Sequence, residues 1–312
     1  MKIVIPDDLG LLPKHYKTIK SMGDAEIYLD LPSDKTFADR IKDADIITSG
    51  WTAITPAMMD SAKSLKYIII EASGYQQWVD AAYAAKKGIA VLNCPTYSSA
   101  AVANMTIAFM LSLTRKIKAA NETIMKGKWL KNPYRGMELE GRTLGLIGYG
   151  NIGRRVAEIA EKLGMKVEYC NSKTASRIDK ILRVSDVVSL HLPLNGNTKH
   201  IMNSRRLGLM KKGAYLINVS RGGLVDQKAL ARALKSGSIA GAALDVFEDE
   251  PRRETSKGVS KDIIGLSRMG NVIATPHIAY NTTDMTERMG EEIIRNIESC
   301  IKGRPINVVN RP

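Results

Sequence analysis

Residues 148–153 read Gly-Tyr-Gly-Asn-Ile-Gly, and their flanks restrict the fold more than any other part of the chain. Residues 143–147 before them form a short apolar run of buried-strand type. Residues 154–163 after them carry helical spacing, with Val156, Ile159, Ala160 and Leu163 on one face, and 166–170 follow as a second strand candidate. Strand, glycine turn, helix and strand within about 30 residues are what a dinucleotide-binding unit requires. Each glycine answers a separate demand. Gly148 permits the tight turn, Gly150 lets the backbone approach a pyrophosphate, and Gly153 lets the helix pack close to the strand. The helix N-terminus then offers unpaired N–H groups and the positive end of its dipole to the phosphates.

The rest of the chain repeats this alternation. Short β-branched-rich runs at 2–6, 45–49, 67–70 and 90–93 are separated by helical stretches such as 37–42, 55–62 and 79–87. Further strands are expected near 186–191, 214–219, 240–246 and 271–275. Such alternation predicts parallel strands with helices on both faces. Residues 100–118, mostly apolar and without Gly or Pro, read as one buried connecting helix. Residues 291–302 read as an amphipathic helix with Ile293, Ile294, Ile297 and Ile301 on its apolar face. The polar run 251–261 reads as an exposed surface loop.

Composition bounds the function. A chain of 312 residues allows two domains, and 44% hydrophobic with 25% charged residues is ordinary for a soluble protein. No apolar run has the length of a membrane span, and the opening Met1-Lys-Ile-Val-Ile-Pro-Asp-Asp8 does not fit a signal peptide. Cys94, Cys170 and Cys300 are odd in number and lack CxxC spacing, which argues for a reducing, cytoplasmic setting and against a disulfide framework or zinc site. The net charge of +14 invites a nucleic-acid reading, but the basic residues are scattered and aromatics make up only 5% of the chain. No nucleic-acid partner, membrane or metal is expected.

Three polar residues follow directly on three strand candidates: Arg221 after 215–220, Glu250 after 242–247, and His277 after 271–276. In an open parallel sheet, ligands bind beyond the carboxyl ends of the strands. A guanidinium there suits a carboxylate bidentately, and an imidazole supported by a carboxylate suits proton transfer at a carbinol oxygen. His15 and His200, in polar surroundings, read as surface residues. His191, at the end of a strand in the cofactor half, is the one rival to His277.

The chain resembles the D-isomer-specific 2-hydroxyacid dehydrogenases over nearly its whole length. The matching stretches are Gly145-Leu-Ile-Gly-Tyr-Gly-Asn-Ile-Gly153, Ser185-Asp-Val-Val-Ser-Leu-His-Leu-Pro193, Ile217-Asn-Val-Ser-Arg-Gly-Gly-Leu-Val-Asp226, Gly241-Ala-Ala-Leu-Asp-Val-Phe-Glu-Asp-Glu-Pro251 and Thr275-Pro-His-Ile-Ala279. The resemblance implies an α/β fold of two Rossmann-like or flavodoxin-like domains with parallel sheets. The coenzyme domain, 102–282, would be inserted into a substrate domain made of 1–101 and 283–312. It implies Arg221 on the substrate carboxylate and carbonyl, and His277 as acid/base with its pKa raised by Glu250. It also implies that the loop with Ser73, Gly74 and Tyr75 binds the carboxylate through its amides. Gly148, Gly150, Asn151, Ile152, Gly153, Asn171, Ser172, Lys173, His191, Pro193, Thr198, Val219, Ser220, Arg221, Asp245 and His277 would line the coenzyme. A homodimer through the coenzyme domain is implied as well.

Two positions depart from the family. Asn104 stands where a glutamate is common. Asn171 stands where an NAD-selective acid would end the second strand of the coenzyme unit, and Ser172 and Lys173 follow it. A carboxylate there would bind the ribose 2′-hydroxyl and repel a 2′-phosphate. The expected cofactor is therefore NADPH, with NAD possible as a second choice. The expected activity is reduction of a small 2-oxo acid to the D-2-hydroxy acid, with glyoxylate and hydroxypyruvate favoured by the loop Cys94-Pro-Thr-Tyr-Ser-Ser99. D-lactate or D-3-phosphoglycerate dehydrogenase activity and a nucleotide-sensing corepressor are the alternatives.

Overall fold

A computed structural model describes residues 1–251 and 258–310, so the centre of the polar run 251–261 lies outside the described residues. The chain divides into two compact units, Met1–Ser98 with Asn281–Pro312, and Ser99–Tyr280.

In the first unit β1 (Lys2–Ile5), β2 (Asp24–Ile27), β3 (Ile46–Ser49), β4 (Tyr67–Ile70) and β5 (Ala90–Asn93) are separated by α1 (Pro13–Ser21), α2 (Asp34–Ile41), α3 (Pro56–Ser61) and α4 (Ala81–Lys86). All its pairings are parallel, in the order β2-β1-β3-β4-β5. β3 and β4, inside the sheet, are buried along nearly their whole length, which is why they read as mostly apolar runs. Ser33, Thr55 and Asp80 cap α2, α3 and α4 through side-chain oxygens, each satisfying an amide that the first turn leaves unpaired.

The second unit opens with α5 (Ser99–Thr114) and α6 (Ile117–Met125). The expected single helix over 100–118 is thus two, because Lys116 takes a left-handed φ of 54° that interrupts it. Then follow β6 (Thr143–Ile147), α7 (Asn151–Lys162), β7 (Lys166–Cys170), α8 (Ile178–Val184), β8 (Val187–Leu190), α9 (Ser204–Leu207) and β9 (Tyr215–Asn218). α10 (Gln227–Lys235), β10 (Gly241–Leu244), α11 (Lys261–Ser267) and β11 (Val272–Ala274) complete it. This sheet is parallel throughout, in the order β11-β10-β9-β8-β6-β7. The order reverses between β6 and β8, so the glycine turn after β6 and the segment after β8 flank the switch point where such sheets bind ligands.

The chain then returns to the first unit as α12 (Thr283–Ile301), which starts eight residues before the helix expected at 291. His15 corrects its expected surface place. It is only 3% exposed, and a Cβ on Gly290 of α12 would lie 2.0 Å from its ring. Gly290 thus serves the close approach of α1 and α12.

Candidate active site

The glycine turn is built as its spacing demands. Gly148 has φ 104°, and a Cβ there would lie 2.0 Å from the His191 carbonyl oxygen. A Cβ on Gly153 would lie 2.5 Å from the Gly148 carbonyl oxygen, whereas the space beside Gly150 is open. Gly150 is also the N-cap of α7 and leaves the first-turn amides without a side-chain cap. Open space, a close backbone and an uncapped twelve-residue helix fit a dinucleotide pyrophosphate. Asn151 and Ile152 form the first turn of that helix.

At the end of β7, Asn171 caps the 3-10 turn Ser172–Arg177. Its Oδ1 accepts from the Lys173 and Thr174 amides at 3.0 and 3.2 Å, which leaves its NH2 group for other partners. Glu168, the one acid on β7, is paired with Arg177 at 2.8 Å, while Lys173 has no ion-pair partner among the described residues. Tyr149 stacks on Tyr169 at 3.7 Å with Arg154 over its ring, a layer not singled out in the sequence. It became visible only once β6 and β7 were paired.

After β8, His191 Nε2 shares a hydrogen bond with Ser189 Oγ at 2.9 Å, and its Nδ1 is buried without a partner among the described residues. Burial lowers its pKa to about 3, so the imidazole is neutral. Thr198 Oγ1 donates to the Pro193 carbonyl at 2.8 Å and closes that loop on itself. After β9, Val219 is buried and Ser220 Oγ donates to the Leu190 carbonyl at 2.7 Å. Arg221 Nη1 donates to the Ser220 carbonyl, also at 2.7 Å.

Beyond β10 and β11 the remaining candidates meet. His277 Nδ1 lies 2.9 Å from Glu250 Oε1, and Glu250 Oε2 accepts from the Phe247 amide at 3.0 Å. Burial would raise the Glu250 carboxyl, but the His277 hydrogen bond and charge, the Phe247 amide and the Arg221 charge together hold it below its ordinary value. His277 takes a left-handed φ of 55°, and Asp245 explains how. Its carboxylate accepts from Thr275 Oγ1 at 2.5 Å, the Ile278 amide at 2.9 Å and the Ala279 amide at 2.8 Å. The Asp245 carboxylate, expected to line the coenzyme, thus also shapes the His277 turn. Thr275 is a further residue that the sequence alone did not single out.

Ser73, Gly74 and Tyr75 belong to the first unit. Ser73 Oγ donates to the Cys94 carbonyl at 3.2 Å, and Asn93 Nδ2 donates to the Ser73 carbonyl at 2.6 Å. The loop is stapled to the end of β5 while its own three successive amides have no partner among the described residues. Such a run of free N–H groups makes an anion-binding concavity. Asn93 itself is held by α12, whose Asn296 Nδ2 donates to its carbonyl at 3.0 Å.

Residues 107–279 match the family described as D-isomer specific 2-hydroxyacid dehydrogenase, NAD binding domain. The chain belongs to this family. It is 34% identical to a hydroxypyruvate reductase of Blautia hydrogenotrophica over all of both chains. It is 38% identical to a glyoxylate reductase of Thermofilum pendens over 90% of this chain and 85% of that one. D-3-phosphoglycerate dehydrogenases match too, the chain spanning 60% of the length of one from Methanocaldococcus jannaschii at 34% identity. Among solved structures, an acyclic imino acid reductase in complex with NADPH and D-Arg superposes with a TM-score of 0.89 at 36% identity, covering 99% of this chain and 100% of that one. Like its relatives, the protein is an NAD(P)-dependent oxidoreductase of the 2-hydroxyacid dehydrogenase type.

Proposed function

We propose that the protein reduces small 2-oxo acids to D-2-hydroxy acids with NADPH, glyoxylate and hydroxypyruvate being the first substrates to assay. The observation that carries this reading is the His277–Glu250 pair at 2.9 Å, with the Arg221 charge acting on it, beyond the strand ends of a dinucleotide-type sheet. The bound nicotinamide supplies the hydride. His277, its Nδ1 held by Glu250, donates the proton to the substrate oxygen from Nε2, and Glu250 stabilises the imidazolium between turnovers. Arg221 polarises the carbonyl, and the amides of Ser73, Gly74 and Tyr75 take the carboxylate. In this reading the first unit is the substrate domain and the second the coenzyme domain.

NADPH is favoured over NADH because neutral Asn171, the Ser172 hydroxyl and Lys173, which has no ion-pair partner among the described residues, stand at the end of β7, while Glu168 is occupied by Arg177. A relative whose structure holds NADPH supports this choice. A charge-assisted hydrogen bond of about 1.5–3 kcal/mol gives a preference of roughly tenfold or more. The test is kcat/KM for glyoxylate with each coenzyme, in the native protein and in Asn171→Asp. Native preference for NADH, or no movement towards NADH in the variant, contradicts the coenzyme assignment.

The same relative favours a second reading, in which an imino acid replaces the 2-oxo acid. Assaying 2-oxo acids with and without added ammonium separates the two. Exposed Ile117, Ile124, Met125, Trp129 and Leu130 in the second unit support a homodimer through the coenzyme domain. The three cysteines, all buried and unpaired, support a reducing compartment such as the cytoplasm. No helix of the described residues is long and apolar enough to cross a membrane.

A further inference from the structure

Beyond the ends of β1, β3 and β4, the first unit gathers three carboxyl groups, Asp7, Asp8 and Glu71, with no counter-charge set against any of them among the described residues. In a chain of net charge +14, neither Asp7, Asp8 nor Glu71 takes part in an ion pair among the described residues. Nearby cations are spent elsewhere, Arg40 on Asp30 at 2.9 Å and Lys14 on Glu287 at 2.5 Å. Asp7 is wholly buried. Its Oδ2 accepts from Ser49 Oγ and from the Trp51 and Thr52 amides, each at 3.1 Å, but its Oδ1 is buried with no hydrogen-bond partner among the described residues. Asp8 accepts from the Tyr16 hydroxyl at 2.9 Å. Glu71 accepts no hydrogen bond from any described residue.

The position of Glu71 is specific. Its Oε2 lies 2.3 Å from where a Cβ on Gly50 would sit, so the carboxylate fills the space a side chain at the end of β3 would take. Burial and the charges of Asp7 and Asp8 push its carboxyl well above the usual range, and burial raises Asp7 despite its N–H donors. Crowded carboxylates without a counter-charge are costly, and a cation arriving among them is correspondingly well bound. The strand order reverses between β1 and β3, the switch point where parallel sheets of this order lodge ligands. Glu71 also precedes Ser73 by two residues, a span of about 7 Å at most. A 2-oxo acid held by its carboxylate on the Ser73–Tyr75 amides has a side chain of four or five atoms that covers this span.

We propose that the side chain of the preferred substrate ends in a cation, best a guanidinium, received by Glu71 with Asp7 and Asp8 behind it. This rests on the 2-oxo acid reading above and narrows its substrate class. A guanidinium suits the site better than an ammonium because its planar fork can engage carboxylates from two strand ends at once. Glyoxylate, which has no side chain, then reacts without this contact.

The test compares kcat/KM for 5-guanidino-2-oxopentanoate, its uncharged counterpart 2-oxohexanoate, and 2-oxoglutarate, with glyoxylate as reference. The expected order is cationic over neutral by about tenfold to hundredfold, the scale of a charge-assisted hydrogen bond, with the dianion last. In Glu71→Gln the cationic-to-neutral ratio falls towards one, and in Asp8→Asn it falls in part, so a folding failure of either variant leaves the other informative. Glyoxylate reduced, but the neutral acid used as well as the cationic one, overturns this inference and leaves the 2-oxo acid reading standing. A ratio unchanged in both variants overturns it too. No reduction of any of the four acids overturns the reading itself, and this inference with it.

Discussion

At the scale of residues, two histidines at strand ends have opposite environments, and each environment predicts its behaviour. His277 is partly exposed and holds a carboxylate, which suits a group that must gain and lose a proton. His191 is enclosed, with one nitrogen on Ser189 and the other unpartnered among the described residues, and burial holds its pKa near 3 rather than the ordinary 6.5. The folded state therefore binds fewer protons than the unfolded chain below pH 6.5. The stability contributed by neutral His191 is complete above that pH and is lost as pH falls towards 3. The slope is at most about 1.4 kcal/mol per pH unit. His191→Gln should flatten the dependence of Tm on pH between about 6.5 and 4. An unchanged slope in the variant means that His191 titrates normally and that its enclosure is overstated.

At the scale of elements, the glycine turn separates folding from coenzyme binding. A methyl at Gly148 meets the His191 carbonyl and also strains a left-handed backbone, whereas a methyl at Gly150 meets no protein atom. Gly150→Ala is expected to keep the Tm within about 2 °C, a shift on the order of 1 kcal/mol or less, and to weaken NADPH binding by tenfold or more. Gly148→Ala should lower both. Calorimetric titration with NADPH and thermal melts decide it, and full NADPH affinity in Gly150→Ala removes the pyrophosphate from this turn. The same elements show what a sequence reveals. β3, β4, β5 and β6 were legible because burial along nearly their whole length favours apolar residues at most of their positions. The edge strand β2, Asp-Ala-Glu-Ile, was not, because its register comes from β1 and its side chains need no burial. The start of α12 was hidden by Gly290, whose use is the His15 contact. Arg221, Glu250 and His277 could be singled out as candidates because each comes a few residues after an apolar strand run, though Glu250 lies six residues past the end of β10. The Asp245–Thr275 bond and the Glu71 position needed pairing partners that only the folded sheets supply.

At the scale of the whole molecule, the two units carry parallel sheets of unlike strand order, and under the proposed function the first would hold the substrate and the second the coenzyme and the acid/base pair. Large apolar side chains left exposed in the second unit, Trp129 at 79% and Met125 at 78%, are expected to be covered in solution by a second copy. Light scattering at micromolar concentration should give a dimer, and Trp129→Lys should shift it towards monomer. A native monomer at that concentration contradicts the homodimer. As the proposed acid of an NADPH-dependent 2-oxo acid reductase, His277 is tested by single-turnover oxidation of NADPH. With glyoxylate, native protein should oxidise the coenzyme, and His277→Ala should do so roughly 10²–10⁴ times more slowly while binding NADPH with native affinity. Hydroxypyruvate should yield the D product. Undiminished oxidation by His277→Ala, or no oxidation by the native protein, contradicts the account.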